Sequence, residues 1–207
     1  MLDIEVMRIL SILFLVGAFA RTILLARFTR KQHDLGSVKA SKPIGFVLHD
    51  VWIFVDILLP LVFILLGAIV PAWVYRTALN LSFVGVEFLQ IASVLLFFAG
   101  LVLLGTAYRA LGQLNRARIE VLDKHGLVTS GPYSRVRHPV YTGALLMVLG
   151  VTLLLLNVVL IVGFLATVGI AYRKALLEEE LLASEDGFGQ AYRDYMQKTG
   201  RFLPKLW

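Results

Sequence analysis

The chain has 207 residues, 58% of them hydrophobic and only 16% charged, with a net charge of +6 and no cysteine; its mean hydropathy is +0.81. Soluble domains carry about a quarter charged residues, so the composition excludes an ordinary soluble core, and the missing cysteines exclude disulfides, thiolate metal sites and thiol catalysis. The basic residues flank apolar runs, a placement that meets anionic lipid and sets membrane topology rather than binding nucleic acid.

In chain order, the first apolar run predicts a membrane helix over about 6–26. Its Ala18-Phe19-Ala20 resembles a signal-peptidase site, but Asp3 and Glu5 stand where a signal peptide carries positive charge, and the apolar pattern resumes at Ile23, Leu24 and Leu25. A retained first helix is expected. A second span is predicted over about 51–70, bent by Pro60, and a third over about 84–107. The fourth, about 140–156, and the fifth, about 158–172, meet so closely at Asn157 that they must form an antiparallel hairpin. The fifth is short for a bilayer that takes about 20 residues, and is expected to run on through Arg173 and Lys174, their long stems snorkelling to the interface. The expected fold class is all-α: a polytopic membrane helix bundle of about five transmembrane helices with an amphipathic C-terminal tail.

Charge placement supports this order. The first loop holds Arg27, Arg30, Lys31, Lys39 and Lys42, the second only Arg76, the third six basic residues, the Asn157 turn none, and the tail another six. Such alternation puts the N-terminus outside and the tail in the cytoplasm. Trp52 at one end of the second span, and Pro71, Trp73 and Tyr75 at the other, suit the interfacial belts.

The stretch GPYSRVRHPVYTG, residues 131–143, combines cations with helix-start chemistry. Pro139 suits the first turn of the fourth helix and pushes His138 toward an extended backbone. Arg135, Arg137, His138 and the free N–H groups of that helix start form an anion-binding corner, although on composition alone a basic interfacial flank is the simpler origin for the charges. Gly131 and Gly143 allow close backbone approach, and Tyr133 and Tyr141 offer rings and hydroxyls. In the tail, Glu178, Glu179 and Glu180 follow an apolar span directly, where carboxylates are costly and turn toward polar cavities. Tyr192 and Tyr195 fit the packing face of a short helix. Cationic, acidic and aromatic groups together suit a ligand with a carboxylate, vicinal hydroxyls and a positive centre, such as S-adenosylmethionine.

HGLVTSGPYSRVRHPVYTG (125–143), RKALLEEELL (173–182) and FGQAYRDYMQKTGRFLP (188–204) together resemble the isoprenylcysteine carboxyl methyltransferases, integral-membrane enzymes related to the phospholipid N-methyltransferases. The resemblance spans residues 109–207 and implies a methyltransferase core there, leaving 1–108, the first three helices, as the acceptor side. It implies S-adenosylmethionine held by His125, Leu127, Gly131 and Tyr133, by Arg137, His138, Pro139, Tyr141 and Gly143, and by Glu178 and Glu179, with a Glu179–Glu180 register as the alternative. Arg201 would orient the acceptor, and His138 and Glu178 are candidates for proton transfer. Gly187 is an extra residue before Phe188 relative to the family pattern. The implied partner is a lipophilic or prenylated acceptor entering from the bilayer; no metal and no nucleic acid are expected. Two other readings use the same cations: a membrane sterol-reductase type of enzyme binding NADPH, and a non-catalytic protein holding lipid headgroups.

A reporter fused to the C-terminus is expected to be active only on the cytoplasmic side; activity from outside would contradict the charge argument.

Overall fold

The structure, a computed structural model, describes residues 2–29, 38–42, 46–112, 119–122 and 126–205. Among the described residues, four helices are long and apolar enough to cross a bilayer: Ile4–Phe28, His49–Ile69, Val86–Leu111 and Val158–Leu182. Helix α1 covers Ile4–Thr29. The second span is composite: α2 (Phe46–Ile53), a π-helical turn (Phe54–Leu58) and α3 (Leu59–Ile69). A short α4 (Pro71–Tyr75) follows, then α5 (Val86–Leu111). Helix α6 (Pro139–Leu155) and α7 (Val158–Leu182) are the expected hairpin, and α8 (Gln190–Lys198) lies in the tail. The all-α polytopic bundle read from the sequence is therefore present. The short span is α6, whose 17 residues rise about 26 Å, near the lower limit for crossing the hydrocarbon. Helix α7 instead runs unbroken to Leu182.

That continuation corrects one expectation. Lys174 does not snorkel. It is 6% exposed, and its Nζ sits 4.6 Å from the centre of the Trp52 ring and 5.4 Å from that of Tyr141. Cation–π contact replaces hydration for this ammonium.

Pro60 lies just past a π-helical turn in the second span. Proline lacks the N–H that would bond the carbonyl four residues earlier, here that of Asp56, and the chain passes Asp56 in the π-helical turn. Arg21 of α1 fills the gap. Its Nη1 donates to the Asp56 carbonyl at 3.4 Å, and its Nη2 makes a short ion pair with the Asp56 carboxylate. Asp56 is only 2% exposed. Charged residues at such depth are costly unless paired, and the pair ties the first two spans together.

Helices α5 and α6 approach with almost no side chain between them. A Cβ built on Gly100 would lie 2.6 Å from the Gly143 carbonyl oxygen, and one on Gly150 2.8 Å from Cβ of Phe97. Lipid is as apolar as the side chains, so burial does not drive helix pairing in a membrane; close backbone packing at small residues does. Phe97 then stacks on Phe14 of α1, with centroids 4.2 Å apart, and fixes the first helix against this pair.

The α6–α7 hairpin turns on Leu156, the one non-glycine residue among the described ones with a left-handed backbone (φ 46°). Asn157 caps α7 through its side-chain oxygen, which accepts from Val159 N at 3.0 Å. The loop before α5 closes this end: Leu81 N donates to Leu156 O and Val158 N to Leu79 O, both at 2.9 Å. At the opposite end the structure adds an element the sequence reading lacks. Strands β1 (Val38–Lys42) and β2 (Ile119–Leu122) pair antiparallel, joining the two longer basic loops. Ala40 of this ribbon packs against Leu181 near the end of α7.

Overpacking a close contact costs about 1–3 kcal/mol. Gly100→Leu is therefore expected to lower the melting temperature of the purified protein sharply. Gly169→Leu, where nothing lies within 4 Å of the new Cβ, is expected to leave it unchanged.

Candidate functional site

The tail folds back onto the start of α6 by backbone pairing. Arg137 N donates to Gly200 O at 2.8 Å, His138 N to Arg201 O at 3.1 Å, and Gly200 N to Arg135 O at 3.2 Å. Thr142 Oγ1 adds a bond to Phe202 O at 2.9 Å, and Tyr195 Oη one to Tyr133 O at 2.6 Å. Pro139 opens α6 as predicted, with His138 as its N-cap residue. Because a residue before proline avoids the helical region, the backbone at His138 is free to pair sideways with the tail. Tyr192 and Tyr195 are buried, edge-on to each other at 5.7 Å, so their role is the packing one.

The segments close over Glu179. Arg137 Nε donates to Glu179 Oε1 at 2.8 Å, Arg201 Nη2 to Oε2 at 2.7 Å, and His138 Nε2 lies 3.2 Å from Oε1. Glu179 is 3% exposed. Arg137 also donates to the carbonyl oxygens of Met196 and Thr199. One turn of ring away, His138 Nδ1 is 3.6 Å from Glu178 Oε2, which accepts from Tyr141 Oη at 3.1 Å. The imidazole lies flat on the Tyr141 ring, with centroids 5.4 Å apart and planes 13° apart. Both its nitrogens face carboxylates, an arrangement only the imidazolium satisfies with two donors. Burial opposes that charge, but hydrogen bonds to Glu178 and Glu179 outweigh it and hold the His138 pKa above its ordinary 6.5. Burial, with the nearby Glu178 charge behind it, pushes the Tyr133 phenol well above 10, so no tyrosinate forms there at neutral pH.

Of the sequence-predicted residues, Arg137, His138, Tyr141, Glu178, Glu179 and Arg201 form this one cluster. The two carboxylates of the cluster are those of Glu178 and Glu179; Glu180 is exposed. Pro139 and Tyr133 support it by shaping the chain. Gly131 takes a left-handed backbone (φ 60°) at the preceding turn, and Leu127 is half-buried. Gly143 faces α5, where a Cβ would meet Leu104 Cγ at 2.8 Å. His125 lies outside the described residues. Arg135 is exposed, away from the cluster. Sequence reasoning missed Lys174 as a site neighbour and missed the Arg21–Asp56 pair. Both had a readable signal, an ionisable residue inside an apolar run.

The cluster can hold an anion through three cations and hydroxyls or an ammonium through two carboxylates. It is internally paired. Arg201, with a side chain 25% exposed against 8% for Arg137, and Glu178, 33% exposed, are the members with surface to offer a ligand. Arg201 also rides on the Tyr172 ring at 5.0 Å.

Comparison with known proteins follows the same residues. Residues 88–187 match the family description "Phospholipid methyltransferase". A probable protein-S-isoprenylcysteine O-methyltransferase of Oryza sativa subsp. indica is 34% identical over 87 residues, 42% of this chain and 45% of the relative. The Xenopus laevis protein-S-isoprenylcysteine O-methyltransferase is 36% identical over 85 residues, 41% and 29% of the two chains. Protein-S-isoprenylcysteine O-methyltransferase A of Arabidopsis thaliana is 32% identical over 99 residues, 48% and 49%. The chain thus spans less than half the length of these curated relatives. The fold is shared with a solved eukaryotic intramembrane Ras methyltransferase, an isoprenylcysteine carboxyl methyltransferase, at a TM-score of 0.55 and 24% identity, covering 80% of this chain and 69% of that one.

Removing one partner of a buried ionic cluster costs about 3–5 kcal/mol. Glu179→Gln is expected to lower thermal stability by an amount of that order and Glu185→Gln, at an exposed position, to leave it unchanged, read by thermal unfolding in detergent. The raised pKa of His138 sets a pH dependence. Its contribution to stability is complete below 6.5 and is lost as pH rises through the folded-state value. His138→Gln is expected to flatten that decline in a melting-temperature series across neutral pH.

Proposed function

We propose that this chain, whose residues 88–187 match the description "Phospholipid methyltransferase", transfers a methyl group from S-adenosylmethionine to a lipophilic acceptor. The observation that carries the reading is the convergence of the Arg-His-Pro turn, the acidic pair and the tail on one buried carboxylate, at one end of a membrane bundle. Glu178 would accept from the ribose hydroxyls, Arg201 and Arg137 would hold the carboxylate end, and Tyr141 and Tyr172 would offer ring faces to the positive centre. When bound, the cofactor supplies an electrophilic methyl group on a good leaving group. The protein's task is then orientation and exclusion of water.

The protonation pattern favours one acceptor class. An amine must lose a proton before it attacks, whereas a carboxylate is already a nucleophile. A protonated His138 has no lone pair to take a proton, and Glu179 is engaged by three cations. Glu178 is the remaining base within the cluster. A carboxylate acceptor needs none of them, and this agrees with relatives named for methylating isoprenylcysteine. The acceptor is therefore assigned as the carboxylate of a prenylated cysteine or its chemical equivalent, approaching from the side of α1–α3. The cluster faces the cytoplasm, where S-adenosylmethionine is available, with the N-terminus of α1 outside.

Purified protein is expected to bind S-adenosylhomocysteine with a Kd of about 1 μM, roughly −8 kcal/mol, and not to bind NADPH. Glu178→Ala is expected to weaken that binding about tenfold, the loss of a hydrogen bond to a charged group. The opposite ligand preference would replace this reading with the reductase one. Radiolabelled methyl transfer to a farnesylated cysteine but not to phosphatidylethanolamine checks the acceptor class.

A further inference from the structure

A cavity lies within the membrane-spanning bundle, away from the Glu179 cluster. It has a volume of about 380 Å³ and runs between α1, α3, α5 and α6. Its composition is polarised along its length. Arg21, Thr22 and Asp56 mark one end, and Leu15, Ile64 and Val151 the other. Helices α1 and α3 are antiparallel, as the Arg21–Asp56 pair and the Ser11–Gly67 approach show. The polar end therefore points toward Trp52 and the candidate site. Phe19 and Leu61, both on the lining, are 67% and 38% exposed on the lipid-facing side.

The polar end is incomplete. Arg21 engages Oδ2 of Asp56 and the backbone carbonyl, and Thr22 Oγ1 is spent on Ala18 O. Oδ1 of Asp56, fully buried, has no hydrogen-bond partner among the described residues. Leaving such an oxygen unsatisfied costs more for a charged group than for a neutral one, and buried orphans in native structures signal an absent partner.

We propose that this cavity is a binding site for a single-chain lipid alcohol, its hydroxyl donating to Asp56 Oδ1 and its chain lying along the apolar lining. Three constraints give this chemistry. The orphan atom is an acceptor, so the head must donate. The Arg21–Asp56 pair is already neutral as a unit, so a charged head would enter low dielectric without a counter-ion. The volume sits at the low end of the roughly 300–1,000 Å³ range for small-molecule sites, room for one chain and not for the two of a phospholipid. The lipid-facing rim gives such a ligand entry from the bilayer without passing the Glu179 cluster, so the site stands whether or not methyl transfer is the reaction there.

The test uses purified protein in nanodiscs with two tritiated probes of equal chain length, hexadecan-1-ol and its methyl ether, which lacks the donor. The alcohol is expected to be retained at one per chain and the ether to bind about tenfold more weakly or worse, the loss of one hydrogen bond to a charged acceptor. Ala18→Phe, which fills the cavity, is expected to abolish retention of the alcohol while leaving S-adenosylhomocysteine binding intact. Equal retention of both probes overturns the role of Asp56. Unchanged retention in a folded Ala18→Phe protein places the alcohol elsewhere, and no retention by the unaltered protein removes the site. The alcohol–ether comparison needs no variant, so a misfolded Ala18→Phe still leaves it decisive.

Discussion

A single buried carboxylate organises the polar end of this molecule. Glu179 belongs to a membrane helix, Arg137 and His138 to the turn before α6, and Arg201 to the tail, and each of the three cations ends on it. An unpaired carboxylate buried there would carry a large desolvation cost, so the folded state requires all three segments to be in place together. The backbone pairing of Arg137 with Gly200 and of His138 with Arg201 sets the geometry; the charges make it obligatory. A ligand recognised at this site competes for groups the protein already uses to hold itself together. The more exposed members, Arg201 and Glu178, are where that exchange is cheapest.

Below that end, the bundle uses three different devices in place of hydrophobic burial, which does not distinguish helix from lipid. Glycines bring α5 and α6 to backbone contact. A proline frees a carbonyl that an arginine from the neighbouring helix then satisfies. A lysine is covered by two aromatic rings. Each is a polar or steric solution to the lack of a solvent-driven force, and each involves a residue type that would be unremarkable on a soluble surface.

The apolar runs made the first four spans legible to within a few residues, because about 20 residues without charge have few other uses, whereas the charged residues of α7 hid its run to Leu182. Pro139 at the head of α6 and the Asn157 turn were readable for the same local reason, namely backbone restriction and side-chain capping. The site was legible as segments: Arg137, His138, Glu178, Glu179 and Arg201 carry its motifs. Their joining on one oxygen pair was not, because it depends on the tail returning by main-chain hydrogen bonds that no side-chain pattern encodes. Gly143 shows the converse limit. The motif groups it with the ligand residues, while its close packing against α5 is a contact no local pattern encodes. The β1–β2 ribbon is too short for its alternation to stand out, whereas Arg21 and Asp56 were each readable as ionisable residues in an apolar run, and only their pairing needed the fold.

The glycine contact between α5 and α6 has a consequence for how the molecule moves. Side chains that interdigitate can change rotamer and let helices slide, but main chain lying on main chain has few alternative arrangements. These two helices therefore act as a fixed post. Any rocking that admits a guest from the lipid falls to α3, hinged where the π-helical turn loosens the second span, and a substitution there would alter rates of entry without touching the chemistry.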